Sequence, residues 1–105
     1  MLLALLTATV AACVNDGRSV KLTFRNNSDR SIPLQIPGVM NPNLSPMSNS
    51  GVTLEGGQAI FFKYRGKKTL LLRICDEKPG EVVLIDEVIA RRTVELDAER
   101  ARRDV

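Results

Sequence analysis

Two cysteines and two adjacent carboxylate pairs are the residues of this 105-residue chain with the clearest chemical potential. To act as a nucleophile, Cys75 needs a neighbouring base or a depressed pKa. The sequence contains no histidine, so the commonest general base and the commonest neutral metal ligand are both missing. Arg73 and Lys78 are the cations nearest to Cys75 in sequence. At the end of a predicted strand, Cys75 reads as a small core or edge residue. The pairs Asp76-Glu77 and Asp86-Glu87 are acids of the kind that hydrolyse glycosides, but that reaction needs a cleft and a fixed carboxyl separation. Here they flank a single predicted strand, in a turn and at a helix start, where solvated turn and capping residues are expected. No Gly-x-Ser-x-Gly elbow is present. Gly56-Gly57 lacks the lysine and the opening helix of a phosphate loop. Two distant cysteines without histidine or an Asp-rich loop give no metal site. The expectation is a protein that is not an enzyme and carries no cofactor and no metal.

Charge narrows the partners. Fifteen basic and twelve acidic residues leave a net charge of +3, and they are interspersed. The densest basic cluster, Lys63, Arg65, Lys67 and Lys68, suits a solvated hairpin tip rather than a duplex-binding stripe. Aromatic residues are 4% and Trp is absent, so stacking platforms for bases are lacking. No nucleic-acid partner is expected. Near the C-terminus, Arg91, Arg92, Arg100, Arg102 and Arg103 are offset by Glu95, Asp97, Glu99 and Asp104, the pattern of a solvated helix face.

The first thirteen residues read as an address. Met1 to Ala12 is apolar and ends in small residues, and the chain turns polar from Asn15. Twelve such residues are too few to span a bilayer, which takes roughly 20. They match the apolar part of a secretory signal. Val10-Ala11-Ala12-Cys13 resembles the lipobox of bacterial lipoproteins. That resemblance implies a signal peptide over 1–12, a diacylglyceryl group on Cys13, usually with an acylated amine, and a lipidated tether over 13–18. It implies a membrane-anchored protein of the bacterial cell envelope, periplasmic or surface-exposed, with another envelope protein as a partner. Unlike the signals of that class, this segment has no Lys or Arg before Arg18. Two alternatives stand beside it: the N-terminus is a buried apolar strand or helix, or Cys13 is retained and bridges to Cys75 in a secreted, soluble protein. Lipidation and the bridge exclude one another.

The elements that must position these groups are mostly strands. Val20, Leu22 and Phe24 alternate with Lys21, Thr23 and Arg25, the two-residue period of a half-buried strand. Asn26 to Asp29 is turn chemistry, which also explains the glycosylation-like triplets at Asn26 and Asn43. Residues 31–36 alternate again, with Pro33 placing them at an edge or bulge. The two strands are predicted to form a hairpin. Further strands are expected over 52–55, 59–65, 69–75 and 81–85. The pair around Gly66 forms the central hairpin, with Leu70, Leu72 and Ile74 on one face. Asp86 is expected to cap a helix from Glu87, with Val88, Ile89, Arg92 and Leu96 as its stripe. The domain therefore spans 19–96, followed by a charged, frayed tail over 97–105. The fold class is mainly β: a small antiparallel β-sandwich or open barrel of about six strands with one C-terminal helix.

Between two of these strands, residues 37–51 carry no charge and hold three Pro, three Asn and three Ser. A loop this long in a small domain is either a structural crossover or a binding loop. Val39, Met40, Leu44 and Met47 are expected to pack it onto the mouth of the domain. The candidate partner contacts are Met40, Asn41, Asn43, Leu44 and Met47, with Arg65, Lys67 and Lys68 at the hairpin tip. Two functions follow: an envelope lipoprotein whose β domain is a binding or structural module, or a secreted partner-binding or inhibitor domain that uses this loop and tip.

Overall fold

The computed structural model describes residues 19–75 and 77–103. Its centre is β1 (Ser19–Asn26), where period-two burial places Leu22, Phe24 and Asn26 inside. β1 is flanked on both sides by strands from far along the chain. β4 (Ser48–Glu55) pairs with it antiparallel from Ser19↔Glu55 to Asn26↔Ser48. β7 (Val82–Leu84) lies parallel on its other side, with Thr23 opposite Val82.

This corrects the expected hairpin between residues 19–25 and 31–36. β2 (Ile32–Pro33) pairs instead with β3 (Asn43–Leu44), across Ile32↔Leu44. The Asn26 side chain accounts for the difference, because it ties the 26–30 turn to the 44–45 backbone and turns the chain away from β1. Residues 37–51 act as the crossover: a tight turn closes at Ile36, whose carbonyl accepts from Val39 and Met40. β4 then starts at Ser48, earlier than the sequence pattern indicates. The expectation that all strands run antiparallel fails at β7. The 75–81 connection lies along β1, with Gly80 N–H donating to the Lys21 carbonyl, and so feeds the chain in beside β1 in its own direction.

The central hairpin forms as expected from β5 (Ala59–Tyr64) and β6 (Lys67–Arg73). Its two-residue turn has φ of 53° at Arg65 and 83° at Gly66. That conformation matches the twist of the flanking strands and is well served by Gly at the second position. The pair does not sit in the middle of a larger sheet; it forms its own two-stranded sheet, joined to the rest through a bridge between Gln35 and Phe61. A bulge shifts the register between Ile60 and Phe61, leaving Leu71 as an extra residue in β6. The face assignment in β6 changes accordingly. Leu71 and Ile74, three residues apart, are both buried, whereas Leu70 and Leu72 are half-buried.

Helix α1 runs over Ile85–Arg103. It starts before Glu87, and Asp86 sits in its first turn, where its carboxylate accepts from the Asn27 backbone N–H at 3.0 Å. Val88, Ile89 and Leu96 pack against the core. Arg92, the polar member of the stripe, donates to the Leu70 carbonyl at 2.9 Å and pairs with Glu95 at 3.0 Å. The segment expected as a frayed tail is helical through Arg103. Acids in the first turn and arginines in the last oppose the helix dipole, and a contact from Asp97 to the hairpin holds the far end. The three sheets and the helix share one core, with Phe24, Ile36, Ile60 and Ile85 fully enclosed. The whole is a small, mainly β domain with one C-terminal helix. No helix among the described residues is long and apolar enough to cross a membrane.

Candidate binding groove

A groove of about 640 Å³ opens between the 28–33 segment, the end of β5 and one face of α1. Backbone chemistry explains why it is there. Gln35 and Phe61 exchange two hydrogen bonds, N–H to carbonyl at 2.9 and 2.8 Å. Two residues further along an antiparallel ladder, Lys63 would face Pro33. Proline has no N–H to give, so the ladder stops. Among the described residues no backbone bond joins 31–33 to 63–65. The two strands part, and α1 lies across the opening.

The helix contributes Asp86, Ile89, Thr93 and Asp97 to the groove, a spacing that puts all four on one face. Ile32, Phe62 and Ile89 make an apolar floor. Arg30, Lys63 and Arg65 stand on the strand side, and none of them forms an ion pair among the described residues. The acids opposite already serve the fold. Asp86 holds the Asn27 N–H, and Asp97 accepts from the Tyr64 hydroxyl at 2.5 Å.

That last contact raises the pKa of the Tyr64 phenol above 10.0. The hydrogen bond to Asp97 is the main cause, followed by desolvation and the carboxylate's charge, while Arg100 and Arg65 pull the other way. A raised phenol pKa means that the folded state holds its proton longer than the unfolded chain does. The contact is therefore at full strength below pH 10 and is lost as pH climbs through the folded-state value. Tyr64 is the only tyrosine and Trp is absent, so tyrosinate absorbance reports this site alone. In Asp97→Ala the titration midpoint should move down towards 10.0. An unchanged midpoint would show that the helix end is not docked on the hairpin.

The candidate residues from the sequence do not gather in this groove. Of them, Arg65 alone lines it. Lys67 and Lys68 are exposed on β6, and the Lys68 ammonium lies 4.9 Å from the Phe61 ring centroid, a cation–π contact. Leu44 is 1% exposed, a core residue and not a contact. Asn41 and Asn43 are exposed. Met40 and Met47 are 44% and 60% exposed, so, like Val39, they do not pack the loop down as expected. The burial of Leu44, together with the 36–40 turn, fixes the loop without them. Met40 borders a separate depression beside Thr23, Gly51 and Thr53.

The other chemistry-bearing groups have structural duties. Glu77 accepts from the Cys75 N–H at 2.8 Å and Glu81 from the Lys78 N–H at 3.1 Å. Cys75 is disulfide-bonded. Cys13, the chain's other cysteine, and Asp76 lie outside the described residues, as does all of 1–18, where the signal and tether are expected. No cluster of three metal-ligating side chains occurs among the described residues. Sequence reasoning missed Arg30, Tyr64 and the helix face as parts of one site. The 86, 89, 93, 97 spacing was a readable signal, but the parting of two strands at Pro33 depends on a pairing partner that local pattern does not identify. Compared with known proteins, the chain matches no family model, no curated protein and no solved structure.

Proposed function

We propose that this chain is a small, non-catalytic binding module of the bacterial cell envelope, held to the membrane by a lipid on Cys13 in a form in which the Cys75 disulfide is not made. The observation that carries the binding reading is the groove, an apolar floor beside three cations that form no ion pair among the described residues and that face Asp86 and Asp97 across the opening. The lipobox-like Val10-Ala11-Ala12-Cys13 carries the anchor. The non-catalytic reading is supported by Asp86, Glu77 and Glu81, whose carboxylates are engaged with backbone N–H groups. Pairing also sets the orientation. Ser19, next to the tether, pairs with Glu55 at one end of β1, whereas the groove lies by the Asn26 end and the hairpin tip. The eight residues of β1 put these poles about 23 Å apart, so the groove lies at the pole opposite Ser19.

A second reading rests on Cys75. Its disulfide favours a secreted, soluble partner-binding or inhibitor domain in which Cys13 is kept. Met40, Met47 and the Arg65–Lys68 tip would be its exposed contacts. Intact mass separates the two. Lipidation leaves a chain that starts at Cys13 and carries acyl mass; the bridged form keeps both cysteines and lacks two hydrogens. Globomycin should leave an unprocessed precursor, and Cys13→Ala should abolish membrane fractionation. A soluble, unacylated product would remove the anchor. For the groove, Thr93→Trp fills the opening from the helix side. The wild type should retain envelope proteins that this variant loses, and an identical set would count against a binding role.

A further inference from the structure

We infer that the groove takes an extended acidic peptide, which adds itself as a strand to the open edge of β5. The inference rests on the binding-module reading and names its ligand class. Three independent features converge on it.

The first is the backbone. Phe61 uses both its N–H and its carbonyl on Gln35. Strand alternation then points the N–H and carbonyl of Lys63 the same way, towards Pro33, which cannot continue the ladder. The edge of β5 beyond Phe61 is thus an unfilled template for one more strand, and main-chain pairing of this kind supplies affinity without sequence demands.

The second is the alternation of side chains. Along β5, Phe62 and Tyr64 turn inwards while Lys63 and Arg65 are exposed. Residues opposite one another on neighbouring strands share a face. A peptide residue opposite Lys63 or Arg65 therefore shares their outer face, where an acid is favoured. Its neighbours turn inwards on Phe62, Ile32 and Ile89, where apolar side chains are favoured. The sequence that fits alternates acidic and apolar residues.

The third is charge and length. Arg30 adds a further cation on the same side, again without an ion pair among the described residues, and with Asp86 and Asp97 on the facing helix wall the positive charge is concentrated on the strand side. From Asp86 to Asp97 the helix wall is about 16 Å long, room for about five extended residues. An apolar floor flanked by an open strand edge fits a protein segment better than lipid headgroups, which offer no main chain to pair.

The test uses the full folded chain and blocked pentapeptides, Glu-Val-Glu-Val-Glu and Lys-Val-Lys-Val-Lys. Nuclear magnetic resonance titration reads saturable binding, and amide exchange reads strand addition. The acidic peptide should bind, weaken as salt rises, and slow exchange of the Lys63 amide. N-methylation of the peptide at alternate residues should abolish that protection. The combined Arg30→Glu, Lys63→Glu, Arg65→Glu variant should bind the acidic peptide about tenfold more weakly or worse, and should gain binding of the basic one. Since all three side chains are exposed, a dispersed spectrum should confirm that this variant is folded. Absence of saturable acidic-peptide binding, equal binding of both peptides, or binding that leaves the Lys63 amide unprotected overturns the inference. Binding of vesicles with anionic headgroups in place of the peptide also overturns it. If the peptide fails while Thr93→Trp still loses partners, the ligand class falls and the binding role stands; if Thr93→Trp loses nothing either, both fall.

Discussion

Asn26→Ala should destabilise the domain by about 3 kcal/mol, a large share of the total for a domain of this size. Asn26 is 0% exposed at the end of the central strand. Its side-chain amide donates to the carbonyls of Arg30, Leu44 and Ser45 at 2.7, 3.1 and 3.1 Å. Its oxygen accepts from the Ser28 N–H at 2.9 Å and the Ser28 hydroxyl at 2.7 Å. One side chain thus satisfies the turn that leaves β1 and the loop that arrives at β3. Alanine strips partners from several partly enclosed groups at once, and each such loss costs about 1–3 kcal/mol where water cannot replace it. Asn26→Asp sharpens the test. It keeps shape and acceptor but loses the donors and sets a negative charge against three carbonyls. It should therefore be at least as damaging as alanine near neutral pH. Urea unfolding reads both, as a lower midpoint at unchanged slope. A change below about 1 kcal/mol would mean that the two segments are held by something else.

Leu71→Asp should leave the chain unfolded, whereas Leu72→Asp should leave it folded but weakened. Strict alternation in β6 predicts the reverse order, because it places Leu72 with Ile74 on the inner face. The bulge moves Leu71 inside, at 5% exposure. An aspartate there is a buried charge without a partner, a cost of several kcal/mol. Leu72 borders an open cleft lined by Glu77, Glu81, Glu87 and Arg91, where an aspartate reaches water but meets more acids than cations, which weakens the fold without burying a charge. Spectral dispersion of the two variants at equal temperature decides the matter, and a folded Leu71→Asp beside an unfolded Leu72→Asp would remove the bulge from the account.

Legibility followed the range of the interactions. The alternation of Leu22 and Phe24, the Arg65-Gly66 turn and the Val88, Ile89, Leu96 stripe are local patterns, and each is read directly from composition and spacing. Partner choice is not local. Nothing in residues 19–25 says that β4 and β7, rather than the nearer 31–36 segment, lie beside them. Nor does a turn-like Asn-Asn-Ser-Asp reveal that its first asparagine is the most enclosed polar residue of the described core. The uncharged loop was legible as a crossover, but its four apolar residues have different fates: Leu44 is buried and Val39, Met40 and Met47 face solvent. The groove was least legible of all. It arises from a ladder that fails to form, and a single proline signals such a failure only once its neighbour is known.

The placement of β1 has a consequence for how the chain matures. As the chain emerges from its N-terminal side, the central strand is made before either of its neighbours; Thr23 pairs with Gly51 and with Val82. Its sheet cannot close until the last strand has appeared, and folding must wait for contacts of long sequence separation, which are slow to form. The same delay leaves Leu22 and Phe24 uncovered for longest, so the interval between emergence and closure is when self-association is the greatest hazard.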